Sequence, residues 1–157
     1  MTITTHSVEE TCALGEKIGA AAPPGLVIAL EGQLGAGKTH LVRGIAQGAR
    51  VADPDLVSSP TYVLLNIYQK NPADPQSKAV YHLDAYRTAG PGDIESLGFE
   101  EWLTEGAVVV IEWASRIRDL LPPDHLDIHI HVIDEATREF RMVSHGPNSA
   151  CVRAAAS

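Results

Sequence analysis

The stretch from Leu26 to Thr39, LVIALEGQLGAGKT, decides the fold. Its first five residues are apolar, which is typical of a strand buried on both faces of a sheet. Residues 32–39 (GQLGAGKT) then satisfy the pattern GxxxxGK followed by Ser or Thr, which marks a phosphate-binding loop. Helical spacing of apolar residues returns from Lys38 to Gln47. A buried strand, a glycine loop and a helix in this order predict an α/β fold with a central, mostly parallel sheet.

The spacing of the phosphate-binding loop (residues 32–39) has a physical cause. Glycines let successive backbone N–H groups turn inward around the phosphates of a nucleotide, and the helix that follows adds the positive end of its dipole. Lys38 is expected to reach the β- and γ-phosphates, and the hydroxyl of Thr39 to bind Mg²⁺. A coincidental glycine-rich turn is the alternative. We predict that a nucleotide is held by the whole loop: Gly32, Gln33, Leu34, Gly35, Ala36, Gly37, Lys38 and Thr39.

Length and composition suit a single domain over residues 1–157. The chain is 45% hydrophobic and 20% charged, with a mean hydropathy of -0.02, which is the balance of an ordinary globular protein. No apolar run approaches the roughly 20 residues needed to cross a membrane, and the first residues lack a signal-peptide pattern. We therefore expect a cytoplasmic protein without membrane contact. Cys12 and Cys151 are expected to be free thiols, and residues 147–157 a disordered tail.

The formal charge of -8 argues against direct binding of nucleic acid, because it would repel a phosphate backbone. If nucleic acid is involved, we expect another protein to hold it. Between Arg87 and Arg116 the chain carries no lysine or arginine. An acidic patch occupies this segment: Asp93, Glu95, Glu100, Glu101, Glu105 and Glu112. The acidic patch is either a docking surface for a basic partner or a solvated helix face.

The other segments complete the sheet and the helices that flank it. Ser7 and Glu10 form a candidate capping box that opens a helix reaching Ala22. A third helix is predicted over residues 93–104, despite Gly98. Further strands are predicted over residues 61–68, 79–84, 107–111, 126–133 and 138–143, with a polar loop at 71–78. Residues 61–84 read as a hairpin, and 138–143 pairs with 126–133, which places antiparallel strands at the edges.

Two acidic residues end predicted strands, where a P-loop needs a carboxylate beside its magnesium ion. Glu112 closes the buried run VVVIE, so we assign it to Mg²⁺ at the carboxyl edge of the sheet. Asp84 closes AVYHLD, in which Tyr81 and His82 suggest a less buried strand. We assign Asp84 to the γ-phosphate side, where it would orient the attacking water. Either carboxylate could instead cap the turn that follows its strand.

The segment Ser58 to Tyr62, SSPTY, follows the helix of the phosphate-binding loop. Switch loops that respond to the nucleotide often lie there, so Thr61 is a candidate sensor of the γ-phosphate or the metal. A plain strand entry, with Pro60 fixing the turn, explains the same residues.

Three other side chains invite a functional interpretation. His129 and His131 would share one face of a strand whose opposite face, Ile128, Ile130 and Val132, is the buried one. With no evident third ligand, a solvated polar face is favoured over a metal site. Trp113 could stack on a base or a partner, although an aromatic residue is by default part of a core.

Five segments in this order resemble the TsaE family, small P-loop ATPases of bacterial tRNA threonylcarbamoyladenosine synthesis. They are GQLGAGKT with the Arg43-Gly44 pair downstream, SSPTYVLLNIY, YHLDAYR, LGFEEWL and VVVIEW. The resemblance runs from Thr11 to about Arg138. It implies ATP or ADP and Mg²⁺ as cofactors. It also implies association with a TsaB–TsaD pair that modifies tRNA, which the chain would reset by ATP hydrolysis while contacting tRNA only indirectly.

The resemblance also implies roles for individual residues. Thr61, Asp84 and Glu112 match the switch, γ-phosphate and magnesium positions of the family, and with Lys38 they are the expected catalytic residues. Ser115 and Arg138 match residues that line the nucleotide pocket, and His40 stands among the pocket residues where a second threonine is common.

Other functional classes share the phosphate-binding loop. A small-molecule or nucleotide kinase should carry an arginine-rich lid, and a GTPase should carry an NKxD-like loop; the sequence contains neither. A nucleotide-dependent scaffold that does not hydrolyse its ligand is the third alternative.

Overall fold

The computed structural model of the protein describes residues 1–33, 35–58 and 64–157. Its strands are β1 (Thr2–Thr5), β2 (Val27–Gly32), β3 (Leu65–Tyr68), β4 (Val80–Asp84), β5 (Val108–Glu112), β6 (His125–Val132) and β7 (Arg138–Ser144). Its α-helices are α1 (Val8–Ala21), α2 (Lys38–Gly48), α3 (Pro91–Ser96), α4 (Phe99–Thr104) and α5 (Pro147–Ala155).

The described strands form one sheet in the order β1-β7-β6-β2-β5-β4-β3. The central strands β6, β2, β5 and β4 run parallel to one another. At the edges, β7 is antiparallel to β6 and β1, and β3 is antiparallel to β4. The predicted parallel sheet with antiparallel edge strands is confirmed. In this register Glu112 pairs with both Leu30 and Asp84, so the end of β5 lies between the ends of β2 and β4.

Helices cover both faces of the sheet. Along β2, Ile28 and Leu30 belong to a hydrophobic cluster with residues of α1, α2 and α5, whereas Val27 and Ala29 belong to a second cluster with residues of α3 and α4. The strand is therefore buried on both sides, which explains its continuous apolar sequence. None of the described helices is long and apolar enough to cross a membrane.

Four glycines bring α1 and α2 into close contact. Gly15 and Gly19 lie on α1, and Gly44 and Gly48 lie on α2. A Cβ atom added to any of them would clash with a backbone oxygen of the other helix. These four residues, called the glycine seam below, fix α1 against the helix that follows the phosphate-binding loop.

The prediction of a single helix over residues 93–104 is wrong. The structure has two short helices there, α3 and α4. Gly98 separates them with a φ of 94°, and its carbonyl accepts from the N–H of Trp102 in the second helix. This left-handed conformation is open to glycine and breaks the helical run.

The prediction of a disordered tail over residues 147–157 is also wrong, since helix α5 occupies most of this segment. The carboxylate of Asp124 accepts hydrogen bonds from the N–H groups of Asn148 (2.8 Å) and Ser149 (3.0 Å) at the start of this helix. Val152 is fully buried in the core. Val152 is the only large apolar residue in this short segment, so the sequence shows little periodicity, and tertiary contacts rather than local pattern stabilise this helix.

Strand β6 and the N-terminal strand depart from the expected pattern as well. Val132 is 46% exposed, although alternation predicts it on the buried face. It pairs with Arg138 in the last residue pair before the β6–β7 turn, at the end of the sheet.

Strand β1 lies outside every predicted element, because its pairing with β7 joins residues far apart in the sequence.

Candidate nucleotide-binding site

The phosphate-binding loop joins the end of β2 to the start of α2. Gly35 and Gly37 adopt φ values of 78° and 100°, in the left-handed region that favours glycine. A Cβ atom added at Gly35 would meet no described atom within 4 Å. This side of the loop is therefore open to a ligand. Leu34, predicted to belong to the loop, lies outside the described residues.

The N-terminus of α2 presents backbone donors towards the loop. Gly37 is the N-cap, and no described side chain caps the helix there. The N–H of Leu41 donates to the Gly37 carbonyl at 3.1 Å, as the first intrahelical bond. The N–H groups of residues 38–40 consequently have no intrahelical acceptor. Together with the helix dipole, these N–H groups favour an anion at this end of α2.

The ammonium group of Lys38 lies between the loop and strand β5. Its Nζ donates to the carbonyl of Gly32 at 2.8 Å and lies 3.2 Å from Oε1 of Glu112. It also lies 5.5 Å from the ring centre of Trp113, within the range of a cation–π interaction. Lys38 thus links the first residue of the loop to the carboxyl end of the neighbouring strand.

Glu112 is the carboxylate nearest to this lysine, and it is only 6% exposed. Its Oε2 accepts a hydrogen bond from Nε2 of His82 at 2.8 Å. Burial acts to raise the pKa of Glu112, but the hydrogen bond and charge of His82, together with the charge of Lys38, outweigh it. The net effect is a pKa below the ordinary value, so Glu112 is an ionised carboxylate at the carboxyl edge of the sheet.

His82 is part of the site but was not among the residues predicted from the sequence. Strand β4 is less buried than β5, as predicted, because Tyr81 and Asp84 are partly exposed, but the His82 side chain is fully buried. Its strand β4 lies beside β5, and His82 is two residues before Asp84, so both side chains lie on the same face of the sheet. The sequence signal that could have identified His82 is its position two residues before Asp84, the acid that ends the strand.

Asp84 lies at the end of β4, directly across from Glu112. Its Oδ1 accepts from the N–H of Tyr86 at 3.0 Å, and its Oδ2 lies 3.5 Å from Nε of Arg87. The carboxylate therefore caps the 3-10 turn that follows the strand, which was the structural alternative for this residue. It also borders the cavity described next.

One cavity of about 520 Å³ lies over the loop and the strand ends. It brings together eight residues predicted from the sequence to bind the nucleotide or the metal: Gly35, Gly37, Lys38, Thr39, His40, Asp84, Glu112 and Arg138. Of the other described loop residues, Ala36 is buried and Gln33 is exposed outside the cavity lining.

Helix α1 forms a wall of this cavity that the sequence analysis does not predict. Ser7, Val8 and Thr11, from the start of α1, line the cavity. The Thr11 hydroxyl is hydrogen-bonded to that of Thr5 at 2.8 Å. The close packing along the glycine seam brings this end of α1 beside the loop, and such a tertiary contact leaves no local sequence signal.

Arg138 supports the phosphate-binding loop by a hydrogen bond to its backbone. Its Nε donates to the Ala36 carbonyl at 3.0 Å, and its Nη1 donates to the Asp134 carbonyl at 2.7 Å. The structure therefore places this arginine where a pocket residue is expected. Ser115 lies outside the cavity lining, and its N–H donates instead to Oε1 of Glu31 at 3.0 Å. The predicted switch residue Thr61 lies outside the described residues.

Exposed aromatic side chains lie beside the site, and most of the acidic patch is also exposed. Trp113 is 39% exposed rather than a core residue, and its ring centre lies 5.3 Å from that of Tyr86. Of the acidic patch, Glu112 is buried in the site. The other members of the patch, Asp93, Glu95, Glu100, Glu101 and Glu105, are exposed. His131 is exposed and His129 partly so.

Comparison with known proteins shows the family of this chain. A family model described as "Threonylcarbamoyl adenosine biosynthesis protein TsaE" matches residues 5–140. The chain belongs to the TsaE family. The match includes the phosphate-binding loop, both strand-end acids and Arg138. The TsaE family takes part in the biosynthesis of threonylcarbamoyladenosine in tRNA.

Individual TsaE proteins are similar over most of their length. The Rickettsia felis protein named "tRNA threonylcarbamoyladenosine biosynthesis protein TsaE" is 33% identical, over 94% of this chain and 82% of its own. The protein of the same name from Bacillus subtilis is 34% identical, over 90% of this chain and 84% of its own. The crystal structure of Bacillus subtilis YdiB superimposes with a TM-score of 0.76 at 28% identity, covering 99% of this chain and 93% of that one.

Proposed function

We propose that this protein binds ATP or ADP with Mg²⁺ and hydrolyses ATP during tRNA threonylcarbamoyladenosine biosynthesis. One observation carries the proposal. Lys38, at the start of α2, contacts both the carbonyl of Gly32 and the carboxylate of Glu112. A lysine at a glycine loop, beside backbone N–H groups at a helix N-terminus, suits the negative charge of a triphosphate.

Phosphate binding is assigned to the loop and the first turn of α2. The N–H groups of residues 38–40 would donate to phosphate oxygens, and Lys38 would turn from the Gly32 carbonyl to the β- and γ-phosphates. Arg138 supports the loop through its bond to Ala36. We propose that His40, whose Nδ1 is buried without a partner among the described residues, adjusts nucleotide affinity from the cavity wall.

The donor set fits Mg²⁺, a hard cation that prefers oxygen ligands. Thr39 and Glu112 line the same cavity and offer a hydroxyl and a carboxylate. We propose that Thr39 binds the ion and that Glu112, fixed by His82, binds or orients its coordination shell. The bound ion would supply neutralisation of the charge on the phosphates.

Asp84 is proposed to orient the attacking water. It borders the cavity, and its bonds to Tyr86 and Arg87 hold its carboxylate in place. Geometry favours a general base that is already fixed within reach of the reacting group. Thr61 is proposed on its sequence context alone as a switch residue on the γ-phosphate side. Ser115 would contact the nucleotide only after its segment moved towards the cavity.

The partner is proposed to be a TsaB–TsaD pair, which ATP hydrolysis would reset between catalytic cycles in the cytoplasm. The exposed residues of the acidic patch, on and beside α3 and α4, offer a surface for basic side chains of such a partner. The net charge of -8 favours indirect contact with tRNA through that complex.

Phosphate release tests the proposal most simply. The purified chain is assayed with Mg-ATP, with and without a TsaB–TsaD pair from the same organism. We expect slow release by the chain alone, stimulation by the pair, and loss of both in Lys38→Ala. Lys70→Ala, which removes an exposed lysine outside the cavity, is the matched control.

The other outcomes identify the alternatives. Transfer of phosphate to an added metabolite would establish a kinase. Tight ATP binding with no turnover in either condition would establish a nucleotide-dependent scaffold. Release by Lys38→Ala at the wild-type rate would refute the proposed site.

A further inference from the structure

A cluster of two histidines and one aspartate lies where the parallel strands begin, at the opposite end of these strands from the phosphate-binding loop. His125 begins β6 and pairs with Val27 at the start of β2, whereas the loop follows the end of β2. Asp127 is two residues further along β6, on the same face as His125. His145 follows the end of β7, and its N–H donates to the His125 carbonyl at 3.1 Å.

Polar atoms of the three side chains lie close together. Nε2 of His145 lies 2.7 Å from Oδ2 of Asp127, and Nε2 of His125 lies 3.7 Å from Oδ1. One nitrogen or oxygen atom from each residue lies within 4.8 Å of the others. The imidazole rings stack with their centres 4.2 Å apart and an angle of 14° between their planes.

Two polar atoms in the cluster are buried and unsatisfied. Nε2 of His125 and Oδ1 of Asp127 have no hydrogen-bond partner among the described residues, and the residues are only 8% and 6% exposed. Nδ1 of His125 is 2.7 Å from the Pro122 carbonyl, an acceptor, so Nδ1 carries the proton. In the neutral ring Nε2 therefore points a lone pair towards a carboxylate oxygen. Two facing acceptors repel each other, and either a metal ion between them or a proton on Nε2 would remove that repulsion.

We propose that His125, Asp127 and His145 bind a divalent transition-metal ion of the zinc class. Two imidazole nitrogens and a carboxylate oxygen form a ligand set that such ions accept, with a fourth position open to water. Bond lengths of about 2.0–2.2 Å would place ligand atoms roughly 3–3.5 Å apart. The observed separations of 2.7 and 3.7 Å lie on either side of that range.

The surroundings of the cluster fit a metal site. The bond from Nδ1 of His125 to the Pro122 carbonyl fixes the ring and its tautomer, as bonds from a second layer of residues do for metal-binding histidines. The His145 side chain is 36% exposed, which gives an ion a route in from solvent. Arg118 lies 3.8 Å from Asp127 but is half exposed, so its side chain can turn away.

Metal binding at this site moves a proton on His145. Its Nε2 donates to Asp127, so coordination through Nε2 requires the ring proton on Nδ1: a neutral ring changes tautomer, and an imidazolium releases one proton to solvent. The ion would connect the start of β6 to the segment that leads into α5. Because Asp124 caps α5 in the same region, the site would stabilise the packing of the C-terminal helix.

Zinc titration of the full chain tests this proposal. The protein is stripped with a chelator, and Zn²⁺ is added without nucleotide while binding and thermal unfolding are followed. We expect one ion per chain and a higher Tm. His145→Ala should weaken binding at least about tenfold and abolish the Tm increase. His131→Ala, which removes an exposed histidine from the same strand face, should bind Zn²⁺ like the wild type.

A second variant guards against a loss of folding. Asp127→Asn keeps the shape of the side chain and should also weaken zinc binding, with circular dichroism confirming the fold of each variant. Wild-type affinity in a folded His145→Ala protein, or no zinc binding by the wild type, would show that the cluster is an ordinary ion pair. Loss of zinc binding in Glu112→Gln instead would place the ion at the nucleotide cavity and overturn the proposal.

Discussion

His82 lies fully buried with its Nε2 2.8 Å from Oε2 of Glu112. The other carboxylate oxygen, Oε1, lies 3.2 Å from Nζ of Lys38. Glu112 is thereby fixed between a histidine from β4 and a lysine from the phosphate-binding loop. The histidine does not line the cavity, so we regard it as a positioning residue for the proposed magnesium site.

Substitution of His82 should separate turnover from binding. His82→Ala removes the bond that orients Glu112 and should lower kcat about 10- to 100-fold, whereas the affinity for ADP should change little. His82→Asn, which keeps a donor of similar size, should restore part of the rate. Equal losses of kcat and ADP affinity in both variants would contradict a positioning role and indicate general damage to the fold.

The depressed pKa of Glu112 predicts a pH dependence of stability. Its ordinary value is 4.5, and the folded protein holds it lower. The ionised carboxylate therefore stabilises the fold above that pH, and the contribution is lost as pH falls through the lower folded value. In Glu112→Gln the free energy of unfolding should fall less between pH 6 and pH 3. Urea unfolding without nucleotide or Mg²⁺ measures this. An unchanged slope would refute the ion-pair assignment.

The glycine seam predicts an unusual sensitivity to a single methyl group. Gly44→Ala would place a Cβ against the Cys12 carbonyl of α1, and we expect a loss of about 1–3 kcal/mol in the free energy of unfolding. Gly92→Ala is the matched control, because a Cβ there meets no described atom within 4 Å. It should be neutral or stabilising by up to about 1 kcal/mol. Equal stability of the two variants would contradict the close packing of α1 on α2.

The acidic patch predicts a salt-dependent contact with the partner. Charge reversal at Glu100 and Glu101 on α4 should weaken binding to a TsaB–TsaD pair about tenfold, with ATP affinity unchanged. Reversal of Glu9 and Glu16 on α1, which covers the other face of the sheet, should have little effect. The measurement is binding to the immobilised pair at two salt concentrations, and equal affinity of both variants would exclude this surface.

The parts of the fold that were predictable are those with local patterns. The apolar run ending at Leu30 and the glycine spacing of residues 32–39 identified the central strand, the loop and the helix. Strand-end positions then placed Asp84 and Glu112 at one edge, because carboxyl ends of neighbouring parallel strands meet there.

The parts that were missed depend on contacts between distant segments. His82 enters the site only because β4 pairs with β5, and the wall of α1 at Thr11 depends on the glycine seam. Helix α5 is held by Asp124 and by burial of Val152, neither of which produces a local pattern. The break at Gly98 was visible as a glycine, but helical tendency on both sides of it outweighed that signal.

The central claim is that residues 32–39 hold the phosphates of a nucleotide. Calorimetric titration of Mg-ATP into the purified chain tests it most directly. We predict binding of one nucleotide per chain, an affinity at least about tenfold weaker in Lys38→Ala, and no change in Lys70→Ala. Absence of binding heat in the wild type across several temperatures, or an unchanged affinity in Lys38→Ala, would contradict the account.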